Sequence, residues 1–501
     1  MQTGPTGDGS LGLVYMINGA TCNATITSSC GQTPRTTRVG SGPIWMAENP
    51  ATHTVYAVNE EDSSVSMIDA ATCNATDSAG CQPVPPALSI GGRSSVTPSY
   101  PDYGAGAVAV DPSTDTLYAT SQSENNVSVL NGASCNATNT SGCTRFAPTT
   151  TVGNGPSAIA LDPATHTLYV ANQNDQSVSV VNTALCNVSN QAGCARAWPT
   201  IHVGLFPQWI AVDWRTDTLY VANAGFQFGM SNTISVINGA SCNATVTSGC
   251  GQTPATVIVG VDPDALAVDD RTDTIYVANN GTGMTPGDTV SVIDGATCNG
   301  THQSGCSQTP ATIAILNYPS DVAIDDRTNT IYVTDGNDNV SVISGATCDG
   351  TDTAGCGQTP TTVTVGLAPY QLAVDVATDT IYVGNDGDNT LSMINGATCN
   401  GTVSTGCGQT PPAVPAEGLP FGVAVDQQTN VVYLSSIWNS DAATINSMAC
   451  NPTTIRGCEP TPVPVRMGGW PQDFAFDPTT GTGYVPGNVD GTVSFFGLGQ
   501  Q

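Results

Sequence analysis

The chain reads as an all-β protein, a β-propeller of four-stranded antiparallel blades, with nine blades favoured over eight. Three observations predict it. A short phrase holding two cysteines recurs nine times, its first cysteines 51, 62, 51, 56, 56, 50, 51 and 51 residues apart. Between copies lies a second phrase rich in strand signals, as in SAIALDPATHTLYVANQNDQSVSVVN at 157–182 and QLAVDVATDTIYVGNDGDNTLSMIN at 371–395. The 54 glycines and 33 prolines suit a chain made of turns. A strand-rich period of roughly 40 to 50 residues is that of propeller blades or another β-array.

The elements follow in order. AIALD, TLYVAN and VSVVN are short β-branched or aromatic runs bounded by Asp, Pro, Asn, Gly or Thr, which is how strands and tight turns read. A fourth run, TTVTV at 361–365, follows the cysteine phrase. The first run is the most continuously apolar, as an inner strand covered on both faces should be. First-strand runs begin near Pro43, Ala105, Ser157, Trp209, Ala265, Asp321, Gln371, Phe421 and Gln472.

The chain opens on a third strand, a cysteine loop and a fourth strand, and it closes on strands one, two and three. A single domain over 1–501 is therefore expected: a terminal part-blade at 1–40, eight full repeats at 41–465 and a closing part-blade at 466–501. Joining the ends completes a ninth blade, the overlap by which propellers avoid a free edge. One third strand is left over, either LVYMI or TVSFF. Two outcomes stay open: closure within one chain, or addition of a terminal strand to the blade edge of another copy.

The YVAN, YVTD and YVGN cores, preceded by stretches such as AVDVATDTI, resemble the YVTN family of β-propeller repeats over nearly the whole chain. The resemblance implies the fold. It also implies a setting, since that family includes surface-layer and cell-surface proteins, while propellers of related repeat type include lactonases and quinoproteins. The cysteine insert between third and fourth strands departs from the family pattern.

That insert pairs Cys22 with Cys30, Cys73 with Cys81, Cys135 with Cys143, Cys186 with Cys194, Cys242 with Cys250, Cys298 with Cys306, Cys348 with Cys356, Cys399 with Cys407 and Cys450 with Cys458. Seven residues separate each pair, and the pairs use all 18 cysteines. A short loop between neighbouring strands brings two Cα atoms within the distance a disulfide needs. Sequential disulfides are expected, each adding roughly 2–3 kcal/mol by loop closure, and such density implies an oxidising compartment. The spacing lacks the short Cys-x2–4-Cys rhythm of zinc sites.

Just inside the first cysteine, Asn23, Asn74, Asn136, Asn187, Asn243, Asn299 and Asn400 stand in Asn-x-Ser/Thr, the N-glycosylation pattern. Asp349 in CDGT and Asn451 in CNPT break it. Two readings stand side by side: sugar-bearing loops on an exposed rim, or a turn that favours Asn and Asp for their side-chain hydrogen bonds.

Arginine supplies all ten cations against forty acids, a net charge of −30. Such a surface is a poor partner for nucleic acid. No run approaches the roughly 20 apolar residues of a membrane helix, and the opening MQTGPTGDGS has neither the basic start nor the apolar core of a signal peptide. A secreted protein beginning this way is expected to be a mature form or a fragment.

No cofactor is expected. Asp335, Asp338, Asp386 and Asp388, in second-to-third strand loops, are weak oxygen-ligand candidates for a structural calcium. His53 and His166 stand where other repeats have Asp, and neither His202 nor His302 joins a nucleophile motif. Asymmetric features are the loops at 225–232 and 281–288, the insert at 91–106, and Trp45, Trp209, Trp214, Phe226, Phe228, Trp438 and Trp470. The chain is expected to be a secreted structural or adhesive propeller, self-associating through terminal strands or blade edges. The alternatives are an extracellular propeller that binds glycans or cell-surface proteins, and a lactonase-like enzyme.

Overall fold

The computed structural model describes residues 149–416 apart from 163, 188–190, 225–230, 283–284 and 316–317, and beyond that block the strands with a few turn residues. Its described residues form eight four-stranded sheets and one of five strands, a β-propeller. In each four-stranded sheet the strands lie in chain order and every pairing is antiparallel, as in Pro263–Asp269, Thr274–Thr282, Thr285–Asp294 and Ala311–Ala314. The first strands of successive blades stand side by side, so they form the inner wall.

Local sequence explains each strand. The first strand usually opens on a proline, which has no N–H to offer a ladder; the register shifts just after it, as between Pro156 and Ala158 or Pro207 and Trp209. In seven of the eight regular blades it ends on an aspartate, which ties the next turn. Asp269 Oδ1 accepts from the backbone N–H of Arg271 and Thr272, while Oδ2 accepts the Thr272 hydroxyl at 2.8 Å. The turn's last residue lies in the left-handed region: His166, Asp217, Asp273, Asn329 and Asp379 have φ of 48–57°. Asn, Asp and His are the side chains most tolerant of it, which is why His and Asp exchange there.

The second strand is buried throughout, as in Thr167–Asn172 and Thr218–Asn223. The fourth is short and alternates exposed with buried. Such short edge strands offer little backbone for unwanted pairing.

The core lies between blades. Tyr220, Ile234, Val236 and Val257 of one blade pack on Leu266, Ile275, Val277, Ile293, Cys298 and Cys306 of the next. Equivalent clusters fill the neighbouring seams. A blade therefore hides its apolar faces only in company.

The terminal strands share the five-stranded sheet, in the order Arg35–Val39, Gly12–Ile17, Thr492–Gly497, Thr482–Gly487 and Ala475–Asp477. In this single chain the two third strands lie side by side. The last strands also pack on Pro43–Asn49, the first strand of the first full blade.

Candidate functional site

An antiparallel meander puts the first-to-second turns and the cysteine turns at one end of every blade, and the other two loops at the opposite end. The two ends are built differently.

At the cysteine end, five pairs lie wholly within the described residues: Cys186–Cys194, Cys242–Cys250, Cys298–Cys306, Cys348–Cys356 and Cys399–Cys407. Each is bonded within its own turn, with Cα atoms 4.5–4.8 Å apart. Of the other four pairs, Cys22–Cys30, Cys73–Cys81 and Cys135–Cys143 lie outside the described residues, as does Cys458, the partner of Cys450. The turn does not project as a free rim. Its first half is pressed into the seam, with Cys242 and Cys298 at 0% and 1% exposure.

Two hydrogen bonds hold it there. The hydroxyls of Tyr118, Tyr169, Tyr220, Tyr276, Tyr332 and Tyr382 donate to the carbonyls of Cys186, Cys242, Cys298, Cys348, Cys399 and Cys450 at 2.7–3.0 Å, each across the seam to the next blade. The hydroxyl oxygens of Thr167, Thr218, Thr274 and Thr330 accept from the backbone N–H of Ala244, Gly300, Gly350 and Gly401 at 2.8–2.9 Å. Burial first, and neighbouring aspartates second, push the tyrosine hydroxyls Tyr169, Tyr220 and Tyr276 well above their ordinary pKa. Sequence reasoning missed this latch. Its signal was the tyrosine present in all nine second strands.

The Asn-x-Thr phrase belongs to the same turn. Asn243 Nδ2 donates to the carbonyls of Gly239 and Ala240, while its Oδ1 accepts from the Thr245 N–H, the Thr245 hydroxyl and the Val246 N–H at 2.8–2.9 Å. Asn299 and Asn400 repeat this pattern, and Asn187 donates in the same way. Their exposures are only 3–7%. Of the two readings of Asn187, Asn243, Asn299 and Asn400, these bonds fit the turn: the side-chain nitrogen is buried and engaged. The two exceptions fit the turn as well, since Asp349 accepts the Thr351 hydroxyl and Asn451 the Thr453 hydroxyl. The recurring threonine is an internal donor. Asn23, Asn74 and Asn136 lie outside the described residues.

A polar notch of about 220 Å³ opens between two such turns, lined by Ser344, Thr347, Gln358, Thr361, Asn400 and Thr402.

The opposite end varies from blade to blade. In five successive blades the residue preceding the proline at or just before the first strand is left-handed: Gly155, Phe206, Asp262, Tyr318 and Ala368 have φ of 44–68°. That is a strained choice for Phe and Tyr. Four of these five are fixed by backbone pairing to the adjacent loop, as where Ala224 N–H donates to Phe206 O and Asp386 N–H to Ala368 O. Leu205, Trp209, Leu367 and Tyr370 are each at least 38% exposed there.

The expected loop at 281–288 is largely an extended hairpin, with Thr282 paired to Thr285. Most of 225–232 and of the insert at 91–106, with Phe226, Phe228, Trp438 and Trp470, lies outside the described residues.

Asp335 is fully buried, its Oδ1 accepting from the N–H of Asn337 and Asn339, its Oδ2 without a partner, and its pKa raised by burial. Asp386 is raised likewise. Asp338 accepts from Asn339 Nδ2 and Asp388 from the Thr390 hydroxyl. Among the described residues no three carboxylates, histidines or cysteines gather at metal-binding distance, so these four are not brought together as a ligand set. His202 and His302 are exposed, His166 sits in its left-handed turn, and His53 lies outside the described residues.

Residues 13–185 match the family model described as lactonase, 7-bladed beta-propeller. No curated protein matches the sequence. Among solved structures, the chain is similar to hydrazine synthase of Kuenenia stuttgartiensis at 17% identity and TM-score 0.45, covering 81% of this chain and 98% of that one. It is also similar to the dihydro-heme d1 dehydrogenase NirN at 10% identity and TM-score 0.49, covering 87% and 75%. AztD from Citrobacter koseri follows at 11% identity and TM-score 0.44, covering 84% and 96%.

Proposed function

We propose that this chain is a secreted structural or adhesive propeller, a rigid body of an extracellular surface layer, sheath or filament, braced by one disulfide per blade. The observation that carries the reading is the cysteine turn. It repeats with the same bonds in blade after blade, and in six seams it ties one blade to the next. Disulfides of this density belong to an oxidising compartment, and the likeness to YVTN repeats supports a place on the cell surface. Fractionating the source cells under thiol-blocking conditions tests it. The protein is expected in the extracellular or surface fraction without free thiols; an intracellular pool with free thiols would overturn the reading.

The family match over 13–185 favours a second reading, a lactonase-type enzyme. A panel of lactones offered to metal-stripped protein separates the two. Turnover that survives stripping and falls in Asp335→Asn or Asp386→Asn would put the second reading first.

A further inference from the structure

The five-stranded sheet contains one position too few for its strands. In each regular blade the third strand lies between the second and the fourth, antiparallel to both. Here, among the described residues, Thr492–Gly497 has a second strand beside it but no fourth, while Gly12–Ile17 has a fourth strand but no second. The two lie side by side in parallel over Tyr15 with Ser494, Met16 with Phe495 and Ile17 with Phe496. No other described ladder is parallel. A three-residue parallel junction is a weak bond between strands.

The register shows that both strands fit the same place. In all eight regular blades the residue opposite the second-strand tyrosine stands six before the first cysteine. Tyr276 faces Val292 ahead of Cys298, and Tyr382 faces Met393 ahead of Cys399. By that rule the partner of Tyr484 is Met16, six before Cys22. Its actual partner is Phe495, and Phe495 is the residue Met16 lies against. A move of one strand spacing, about 4.8 Å, therefore puts Met16 opposite Tyr484 with no slip along the strand. Gly12–Ile17 and Arg35–Val39 already hold the ordinary register of a third and fourth strand, Met16 opposite Arg35 as Val292 is opposite Ala311.

We propose that Thr492–Gly497 is an exchangeable strand. It occupies the third position of its own closing blade or that of a second copy of this chain, and Gly12–Ile17 moves inward to hold the vacated place only until a strand from another copy enters it. In most folds, giving up a strand opens the core; here a duplicate stands next to the place it leaves. Reciprocal exchange makes a closed dimer, and sequential exchange a filament. The inference rests on the structural reading above only for its setting. A monomeric protein found at the cell surface would end the exchange and leave that reading standing, whereas an intracellular, thiol-bearing protein that still exchanges strands would do the reverse.

The test compares the full chain with a chain stopped after Gly487 and with full-length Phe495→Pro, using light scattering across concentration and thermal unfolding. The full chain is expected to form concentration-dependent dimers and larger species that share subunits when differently labelled samples are mixed. Both variants are expected to stay monomeric and keep the full chain's unfolding temperature. The stopped chain should bind a synthetic peptide of residues 488–501 saturably, and that peptide should disperse the full chain's assemblies. A full chain monomeric at every concentration would overturn the proposal. So would variants that assemble as before, or variants that both fail to fold, since the duplicate strand would then be no substitute.

Discussion

The two ends of the blades solve opposite problems. At the cysteine end the described turns make the same bonds: a disulfide, a buried Asn or Asp that knits its own turn, and a tyrosine that crosses the seam. At the other end, the same backbone path carries Phe206, Asp262, Tyr318 or Ala368 in one strained position, and apolar side chains such as Leu205 and Trp209 face solvent. Uniformity marks the end that holds the ring together. The other end differs from blade to blade in both backbone-strained and exposed positions.

The difference can be broken most forcefully at the cysteine end. Replacing Cys298 and Cys306 together by serine is expected to cost about 2–4 kcal/mol, read as a lower denaturant midpoint. Because Cys298 and Cys306 sit in the core shared with the preceding blade, protease cleavage should rise on both sides of that seam. Asn299→Ala comes next, at about 2 kcal/mol, because it strands two carbonyls and three donors in a buried turn. By contrast, Trp209→Ala at the opposite end should leave chemical denaturation within about 0.5 kcal/mol of the parent, as exposed positions do.

Tyr276→Phe should cost about 1–2 kcal/mol by leaving the Cys348 carbonyl unpaired, and it carries a pH signature. The buried hydroxyls hold their protons more tightly in the folded chain than in the unfolded one, where tyrosine titrates near pH 10. The fold therefore keeps this contribution in full below about pH 10 and loses it as pH rises toward the folded values. Stability measured from pH 8 to 12 should fall, and fall less steeply in Tyr276→Phe.

The smallest effect has the opposite sign. Asp335 also has a raised pKa, so its protonated form suits the fold; its contribution is present below about pH 4 and lost as pH rises through its folded value. At pH 7 it is a cost. Asp335→Asn should add up to about 1 kcal/mol, since Asn172, Asn223, Asn279 and Asn385 hold the matching place at the end of their second strands. Equal stability of the two forms at pH 7 would count against this.

Most of the fold was legible because the chain states it nine times over: runs of period two, turn residues at fixed offsets and cysteines in step. The exchange of His166 for Asp was legible as a turn, and the φ of 54° gives its reason. What escaped depends on distant neighbours. The partner of Tyr220 is Cys298, 78 residues on, and no local pattern joins them. Asn-x-Thr is ambiguous for the same reason, because only the packed seam shows that Asn243 and Asn299 face inward. The parallel pairing of two third strands could be read as a surplus, but its register could not.

The most direct measurement is the intact mass of the native, non-reduced protein before and after treatment with an N-glycosidase. The structure predicts that the enzyme removes no sugar from Asn187, Asn243, Asn299 or Asn400 and that the cysteine turns carry no free thiol. A heavier protein that lightens on treatment, with sugar mapped to Asn187, Asn243, Asn299 or Asn400, would contradict it, as would free thiols at any of the cysteine turns.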